Sequence, residues 1–206
     1  MTAVPSRARH ALRITSARAP ALRHLPRKVA VFQARAHALA LKLDDGFALD
    51  AAARPDQLAE LLRVAEGRRS VVELGTATAW TAASLVLADP VRTVLTVDPV
   101  VQPHRAAYLD LLDDEDRARI DLAQGTGVDA AAQGETPVDL LFVDSTHERD
   151  DTVAEFRAWR GRLAPGAVVV FHDFGNPAFP GVAQAVEQLA LNGRSGHGMF
   201  VATPCP

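Results

Sequence analysis

The chain has 206 residues, of which 48% are hydrophobic, and a formal net charge of −3 at pH 7. This length suits one α/β domain with a sizeable core and an extension, and no segment approaches the roughly 18 apolar residues of a membrane span. The single cysteine, Cys205, excludes a disulfide framework and a cysteine-based zinc site. Because this cysteine usage fits a reducing compartment, we expect a cytoplasmic protein without a membrane partner.

Charge is distributed unevenly along the chain. Residues 1–43 contain nine Lys or Arg residues and no Asp or Glu, which leaves 13 basic and 25 acidic residues for the remainder. We expect a basic N-terminal arm over residues 1–27 and one domain over residues 28–206. The arm can pack on this domain, mediate a homo-oligomer, remain a disordered tail, or serve targeting or an anionic partner. Nucleic acid is disfavoured, since the chain lacks basic residues interleaved with aromatic residues that stack bases.

The first predicted elements are helices. Prolines at positions 5, 20 and 26 predict irregular structure with at most short helices over residues 1–26. An Ala-rich segment with helical spacing predicts a helix over residues 28–43, which the sequence Asp44-Asp45-Gly46 should end. A second helix is predicted from Pro55 to about Ala65, with proline in its first turn.

Strands and helices then alternate. The predicted strands are residues 70–74, 93–97, 119–124, 138–143 and 167–171. Predicted helices cover residues 81–88, 103–112, 151–162 and 181–191, and an antiparallel edge strand covers residues 199–202. This alternation predicts an α/β fold, a doubly wound, mostly parallel, Rossmann-like sheet with helices on both faces.

Polar or small residues follow the predicted strands. The carboxyl ends of parallel strands lie along one edge, where open α/β sheets bind ligands. The residues at these ends are Glu73, Gly75, Asp98, Gly125, Thr126, Asp144 and Asp173. Asp98 suits a ribose diol, because a carboxylate can accept from both hydroxyl groups, although Asp98-Pro99 also fits a plain turn.

The turn after the first predicted strand argues against a dinucleotide. The dinucleotide fingerprint needs three glycines, of which only Gly75 is present, while Ala77 and Trp80 stand at the other two positions. Glu73 would repel a pyrophosphate and would suit a ligand with a cationic end. This pattern favours S-adenosyl-L-methionine over NAD.

Four segments together resemble class I S-adenosylmethionine-dependent methyltransferases. The resemblance is to the small O-methyltransferase-like branch, which includes catechol-type, macrolide-sugar and cephalosporin-pathway enzymes, and it covers about residues 55–203. The segments are VVELGTAT at 71–78, LTVD at 95–98, VDLLFVDSTHE at 138–148 and WRGRLAPGAVVVFHD at 159–173. Where this family has a third small residue in its Gly-rich turn, usually Gly, this chain has Ala79.

The resemblance implies that the ends of the first four strands contact the cofactor. The implied contacts are Glu73, Gly75, Thr76 and Asp144 at its methionine end, Asp98 at the ribose, and Gly125 and Thr126 beside the adenine.

The strongest candidate for a catalytic cluster consists of Asp144, His147 and Asp173. Neighbouring strands would bring the two carboxylates together, and a hard divalent cation such as Mg²⁺ relieves their repulsion. The cation would polarise a substrate hydroxyl, whose proton His147 could accept. The resemblance to macrolide-sugar enzymes implies the same metal ligands and base, although His172 stands where those relatives often have a second acid.

Simpler interpretations of these residues stay open. Asp144 can cap a turn, and His147 can be a solvated loop histidine. We expect His172 to point away from the crevice, because neighbouring residues of a strand alternate between its faces. Asn176 can supply a third oxygen ligand or belong to a plain Asn-Pro turn.

The sequence therefore predicts an S-adenosylmethionine-dependent methyltransferase that acts on a hydroxyl of a small-molecule acceptor, with or without Mg²⁺. Two alternatives stay open: a methyltransferase-like binding module without turnover, and, less favoured, an NAD-dependent oxidoreductase.

Overall fold

The computed structural model describes residues 21–134 and 136–204. The first twenty residues of the predicted arm, and Cys205, lie outside the described residues. A 3₁₀ turn (Ala21–His24) precedes three helices, α1 (Arg27–Leu43), α2 (Gly46–Ala51) and α3 (Pro55–Val64). Helices α1 and α3 confirm the two predicted helices.

Helix α2 was not predicted. Asp44 has a left-handed backbone (φ 52°) and ends α1, as expected. The carboxylate of Asp45 then accepts a hydrogen bond from the Ala48 backbone at 2.9 Å and caps a new helix. The same acidic pair therefore ends one helix and starts the next.

Seven strands of the described residues form one sheet in the order β3-β2-β1-β4-β5-β7-β6. They are β1 (Ser70–Leu74), β2 (Thr93–Asp98), β3 (Ile120–Gln124), β4 (Val138–Val143), β5 (Leu163–Phe171), β6 (Gly193–Gly196) and β7 (Met199–Ala202). Strands β1 to β5 pair in parallel, whereas β7 is antiparallel to both β5 and β6. This confirms the predicted doubly wound, mostly parallel sheet.

The remaining helices cover the sheet. They are α4 (Trp80–Ala88), α5 (Arg105–Leu109), α6 (Asp114–Arg117), α7 (Gly127–Ala131), α8 (Arg149–Arg160) and α9 (Pro180–Gln188). Helix α5 is shorter than predicted, and α6 and α7 were missed. With four or five residues each, these helices span too few turns to show a hydrophobic period.

Two strand predictions need correction. Strand β7 is antiparallel, as predicted, but it lies inside the sheet, because β6 pairs with its outer side. The β6 sequence GRSG has no apolar alternation that could have revealed it. Strand β5 also starts earlier than predicted, because Leu163 already pairs with Val138 before an irregularity in the register.

Both faces of the parallel sheet are buried. Val71 and Leu140 pack with α1, α3 and α4 on one face, and Val72 and Leu141 pack with α7, α8 and α9 on the other. Alternate residues of each strand thus enter opposite cores. The described part of the chain has no helix long and apolar enough to cross a membrane.

Candidate active site

A cavity of about 820 Å³ opens at the carboxyl edge of the parallel strands. Its volume is in the range of small-molecule binding sites. The wall combines strand ends with residues of α2, α8 and the segment before α9. Of the sequence-predicted cofactor residues, four lie on this wall: Gly75, Asp98, Thr126 and Asp144.

The turn after β1 has an unusual backbone. The φ angles of Gly75, Ala77 and Ala79 are 103°, 44° and 65°, all in the region that favours glycine. A Cβ at Gly75 would collide with the backbone carbonyl oxygen of Asp144. The turn therefore adopts a glycine-like conformation, although only its first position is glycine.

Asp98 and Arg105 connect this turn to the end of β2. The Asp98 carboxylate accepts hydrogen bonds from the Ala77 and Val100 backbone N–H groups, both at 2.8 Å. The buried Arg105 guanidinium donates to the carbonyls of the same two residues, at 2.7 and 2.6 Å, and lies 3.5 Å from Asp98 Oδ2. The sequence does not predict this role of Arg105, because nothing in a short helix indicates that one of its arginines contacts the turn after β1.

Glu73 and Thr76 lie behind the wall, and both are almost fully buried. The Thr96 hydroxyl donates to Glu73 Oε2 at 2.5 Å and lies 2.8 Å from Thr76 Oγ1. Burial raises the pKa of Glu73 to about 8, so its carboxyl group is mainly protonated at pH 7. A protonated Glu73 carries no charge that would repel a pyrophosphate, so the argument against a dinucleotide rests on the missing glycines. Gly125 is also absent from the described wall.

Four side chains converge at the ends of β4 and β5. His147 Nε2 lies 3.1 Å from Asp144 Oδ1 and 3.3 Å from Asp173 Oδ2. His172 Nδ1 lies 2.8 and 3.4 Å from the same two oxygens. One potential ligand atom of each of these four side chains lies within 4.8 Å of those of the other three, so the structure brings Asp144, His147 and Asp173 together as predicted and adds His172.

The expected orientation of His172 is wrong. Strand β5 ends at Phe171, and Asp173 has a left-handed backbone with φ 54°. The alternation of strand faces ends there, so both His172 and Asp173 turn toward Asp144. Burial disfavours the charged forms, but attraction between them outweighs it, lowering the pKa of Asp144 and raising the pKa of His172 to about 10.

The segment before α9 supports this cluster. The Phe179 ring stacks on His147, with centroids 4.5 Å apart and an interplanar angle of 27°. The Asn176 amide nitrogen donates to Asp173 Oδ1 at 2.9 Å, while its oxygen accepts from the Ala178 backbone at 3.0 Å. Asn176 therefore orients Asp173, and its oxygen is already engaged in the Asn-Pro turn.

Glu155 is another wall residue that the sequence did not reveal. The Ser145 hydroxyl donates to Glu155 Oε2 at 2.6 Å, and burial raises the pKa of the Glu155 carboxyl. Glu155 lies on the inner face of α8, where it was indistinguishable in sequence from the surrounding charged residues.

A sequence profile described as "Methyltransferase domain" matches residues 72–174. No curated protein matches the chain at a significant level.

Several solved structures resemble this one. The O-methyltransferase TomG from Streptomyces achromogenes, solved with SAM, is 21% identical over 84% of this chain and 88% of its own, with a TM-score of 0.62. The TDP-rhamnose 3'-O-methyltransferase CalS11 of calicheamicin biosynthesis is 18% identical over 98% and 96% of the two chains, with a TM-score of 0.58. Cofactor-bound Rv0187 from MTB is 18% identical over 97% and 90%, with a TM-score of 0.59. At these identities the likeness concerns the fold.

Proposed function

Since the chain belongs to the family of methyltransferase domains, we propose that it transfers the methyl group of S-adenosyl-L-methionine to a hydroxyl oxygen of a small molecule. The observation that carries this proposal is one cavity with Asp98 on its wall and a cluster of two carboxylates and two imidazoles at the ends of β4 and β5. The O-methyltransferases TomG and CalS11, which are similar in structure, support oxygen as the acceptor atom.

The residues present fit the cofactor. Asp98 has spare lone pairs on both carboxylate oxygens, because each accepts one backbone hydrogen bond, so it can also bind a ribose diol. Gly75 allows the turn to pack against the end of β4, where both Gly75 and Asp144 line the cavity. Bound S-adenosylmethionine supplies an electrophilic methyl group on a sulfonium, and the protein holds the acceptor in line with it.

His147 is the proposed general base. If its Nε2–H donates to Asp144 Oδ1 at 3.1 Å, Nδ1 is left to accept the hydroxyl proton. The carboxylates of Asp144 and Asp173 then stabilise the imidazolium that forms. Stacking on Phe179 limits the rotation of the ring.

Asp144 and Asp173 are the proposed ligands of a divalent cation. Their oxygens converge on the cavity wall, and two ionised carboxylates so close together favour a bound cation. A divalent cation supplies Lewis acidity, which lowers the pKa of a substrate hydroxyl.

Release of S-adenosylhomocysteine tests the proposal. The full chain is incubated with S-adenosylmethionine, a divalent cation and a panel of sugars, phenols and amines, and methylated products are identified by mass spectrometry. We expect O-methyl products and a turnover that falls about 100-fold or more in His147→Gln. Exclusive N-methylation would contradict oxygen as the acceptor. Binding of S-adenosylhomocysteine without turnover on any acceptor would favour a non-catalytic binding module.

A further inference from the structure

His172 is a buried imidazole whose Nδ1 is ion-paired with Asp144 and Asp173 and whose Nε2 has no polar partner among the residues that the structure describes. Its exposed fraction is 8%, and neither ring nitrogen makes a hydrogen bond to any residue that the structure describes. A buried polar group normally has such a partner, because leaving it unpaired costs free energy. The ion pair accounts for the charge of this ring, but it leaves both nitrogens without an aligned hydrogen bond among the described residues.

The ring is aimed at the two proposed cation ligands. Nδ1 lies 2.8 Å from Asp144 Oδ1 and 3.4 Å from Asp173 Oδ2, without the alignment of a hydrogen bond to either. We infer that His172 Nδ1 is a third ligand beside Asp144 and Asp173, and that the site holds a transition metal ion such as Mn²⁺, Fe²⁺, Co²⁺ or Zn²⁺ in preference to Mg²⁺. This inference rests on the proposed function, in which the two carboxylates bind a divalent cation.

The distances fit one small ion between these atoms. Ligands about 2.1 Å from a metal lie roughly 3.0 Å apart at neighbouring positions of an octahedron and roughly 3.4 Å apart in a tetrahedron. The two distances from His172 Nδ1, 2.8 and 3.4 Å, are of this size.

The donor set argues against Mg²⁺. Mg²⁺ prefers six oxygen ligands and usually retains several waters, whereas imidazole nitrogen suits later divalent ions. Asn176 favours the arrangement further, because its hydrogen bond to Asp173 Oδ1 orients the carboxylate with Oδ2 toward His172.

His147 has a different role in this arrangement. Its Nε2 makes a hydrogen bond with Asp144 Oδ1, and its ring is stacked on Phe179. Its position is thus explained without a metal, and it remains available to accept a proton. Replacing His172 and replacing His147 should therefore have different effects on the spectrum of the metal-bound protein.

Metal titration and electron paramagnetic resonance test the inference on the full chain. After treatment with a chelator, the protein is titrated by calorimetry with Mn²⁺, Co²⁺ or Mg²⁺ alone. We expect Co²⁺ to bind at least about 10-fold more tightly than Mg²⁺, and Mn²⁺ more tightly than Mg²⁺. Pulsed resonance of the Mn²⁺ form should show coupling to a directly coordinated nitrogen. His172→Asp should abolish that coupling and reduce the preference over Mg²⁺, whereas His147→Gln should retain both.

The inference would be overturned by Mg²⁺ binding as tightly as Co²⁺, by Mn²⁺ binding without nitrogen coupling, or by coupling that depends on His147 instead of His172. Absence of metal binding in protein that binds S-adenosylhomocysteine would also overturn it and leave the methyltransferase proposal standing. Loss of S-adenosylhomocysteine binding itself would instead contradict that proposal. If His172→Asp does not fold, the wild-type coupling and its retention in His147→Gln decide the outcome.

Discussion

The backbone carbonyl oxygen of Asp144 occupies the space that a side chain at Gly75 would need. Gly75 also has a φ of 103°, which L side chains rarely adopt. This contact holds the turn after β1 against the end of β4, and so joins the predicted cofactor turn to the cluster around Asp144.

Replacing Gly75 should therefore be costly. We expect Gly75→Ala to lower the free energy of unfolding by about 2 kcal/mol or more, because it combines backbone strain with a collision against backbone atoms. Urea denaturation measures the change. The matched control is Gly161→Ala, since Gly161 has a φ of −69° and open space at its Cβ. Equal stability of the two variants would contradict the packing described for Gly75.

Replacing Ala77 by glycine should stabilise the protein. Its φ of 44° disfavours alanine, while its hydrogen bonds to Asp98 and Arg105 use only backbone atoms. We expect Ala77→Gly to stabilise the protein by about 0.5 kcal/mol. The relief of backbone strain should exceed the cost of the larger conformational entropy that glycine loses on folding. Ala183→Gly, in helix α9, should instead destabilise it by about 1 kcal/mol. Thermal unfolding measures both changes. If the unfolding temperature shifts in the same direction in Ala77→Gly and Ala183→Gly, the backbone of Ala77 is not strained.

Glu73 should make stability depend on pH. Burial raises its pKa from 4.5 to about 8, so between these values the folded protein keeps a proton that the unfolded chain releases. The stabilising contribution is complete below pH 4.5 and is lost as the pH rises toward 8, by up to about 1.4 kcal/mol per pH unit.

Glu73→Gln should remove this contribution, because glutamine does not ionise. Unfolding free energies at pH 5 and pH 7.5 should then differ less in Glu73→Gln than in the wild type. Glu187→Gln, at an exposed position of α9, should behave like the wild type. An unchanged pH dependence in Glu73→Gln would show that Glu73 is not protonated in the folded protein.

Arg105 should act on ligand binding without touching the ligand. It bridges the carbonyls of Ala77 and Val100, and its loss should loosen both sides of Asp98. We expect Arg105→Gln to weaken S-adenosylhomocysteine binding about 10-fold, by analogy with other residues that orient a primary ligand. Arg157→Gln, on the exposed face of α8, is the control in the same calorimetric titration. If Arg105→Gln and Arg157→Gln bind S-adenosylhomocysteine equally tightly, Arg105 does not position Asp98.

The sequence predicted those features that depend on repeated local patterns. Strands β1 and β4 lie within the predicted limits because each is a mainly apolar segment that is followed by a glycine or a polar residue. The expected pairing of β4 with β5 in a parallel sheet was enough to place Asp144 near Asp173. The orientation of His172 was not predictable, because strand alternation stops where Asp173 adopts a left-handed backbone. The raised pKa of Glu73 depends on burial by residues that are distant in the sequence, which no local pattern indicates.

Calorimetric titration of S-adenosylhomocysteine into the full chain tests the central claim most directly. NAD is titrated separately, and the variants are Asp98→Ala and, as a control, Asp121→Ala at an exposed position of β3. We predict saturable binding of S-adenosylhomocysteine, weakened at least about 10-fold by Asp98→Ala and unchanged by Asp121→Ala, because a lost charged hydrogen-bond partner costs about 1.5–3 kcal/mol. Absence of S-adenosylhomocysteine binding, or binding of NAD in its place, would contradict the assignment of this cavity to methyl transfer.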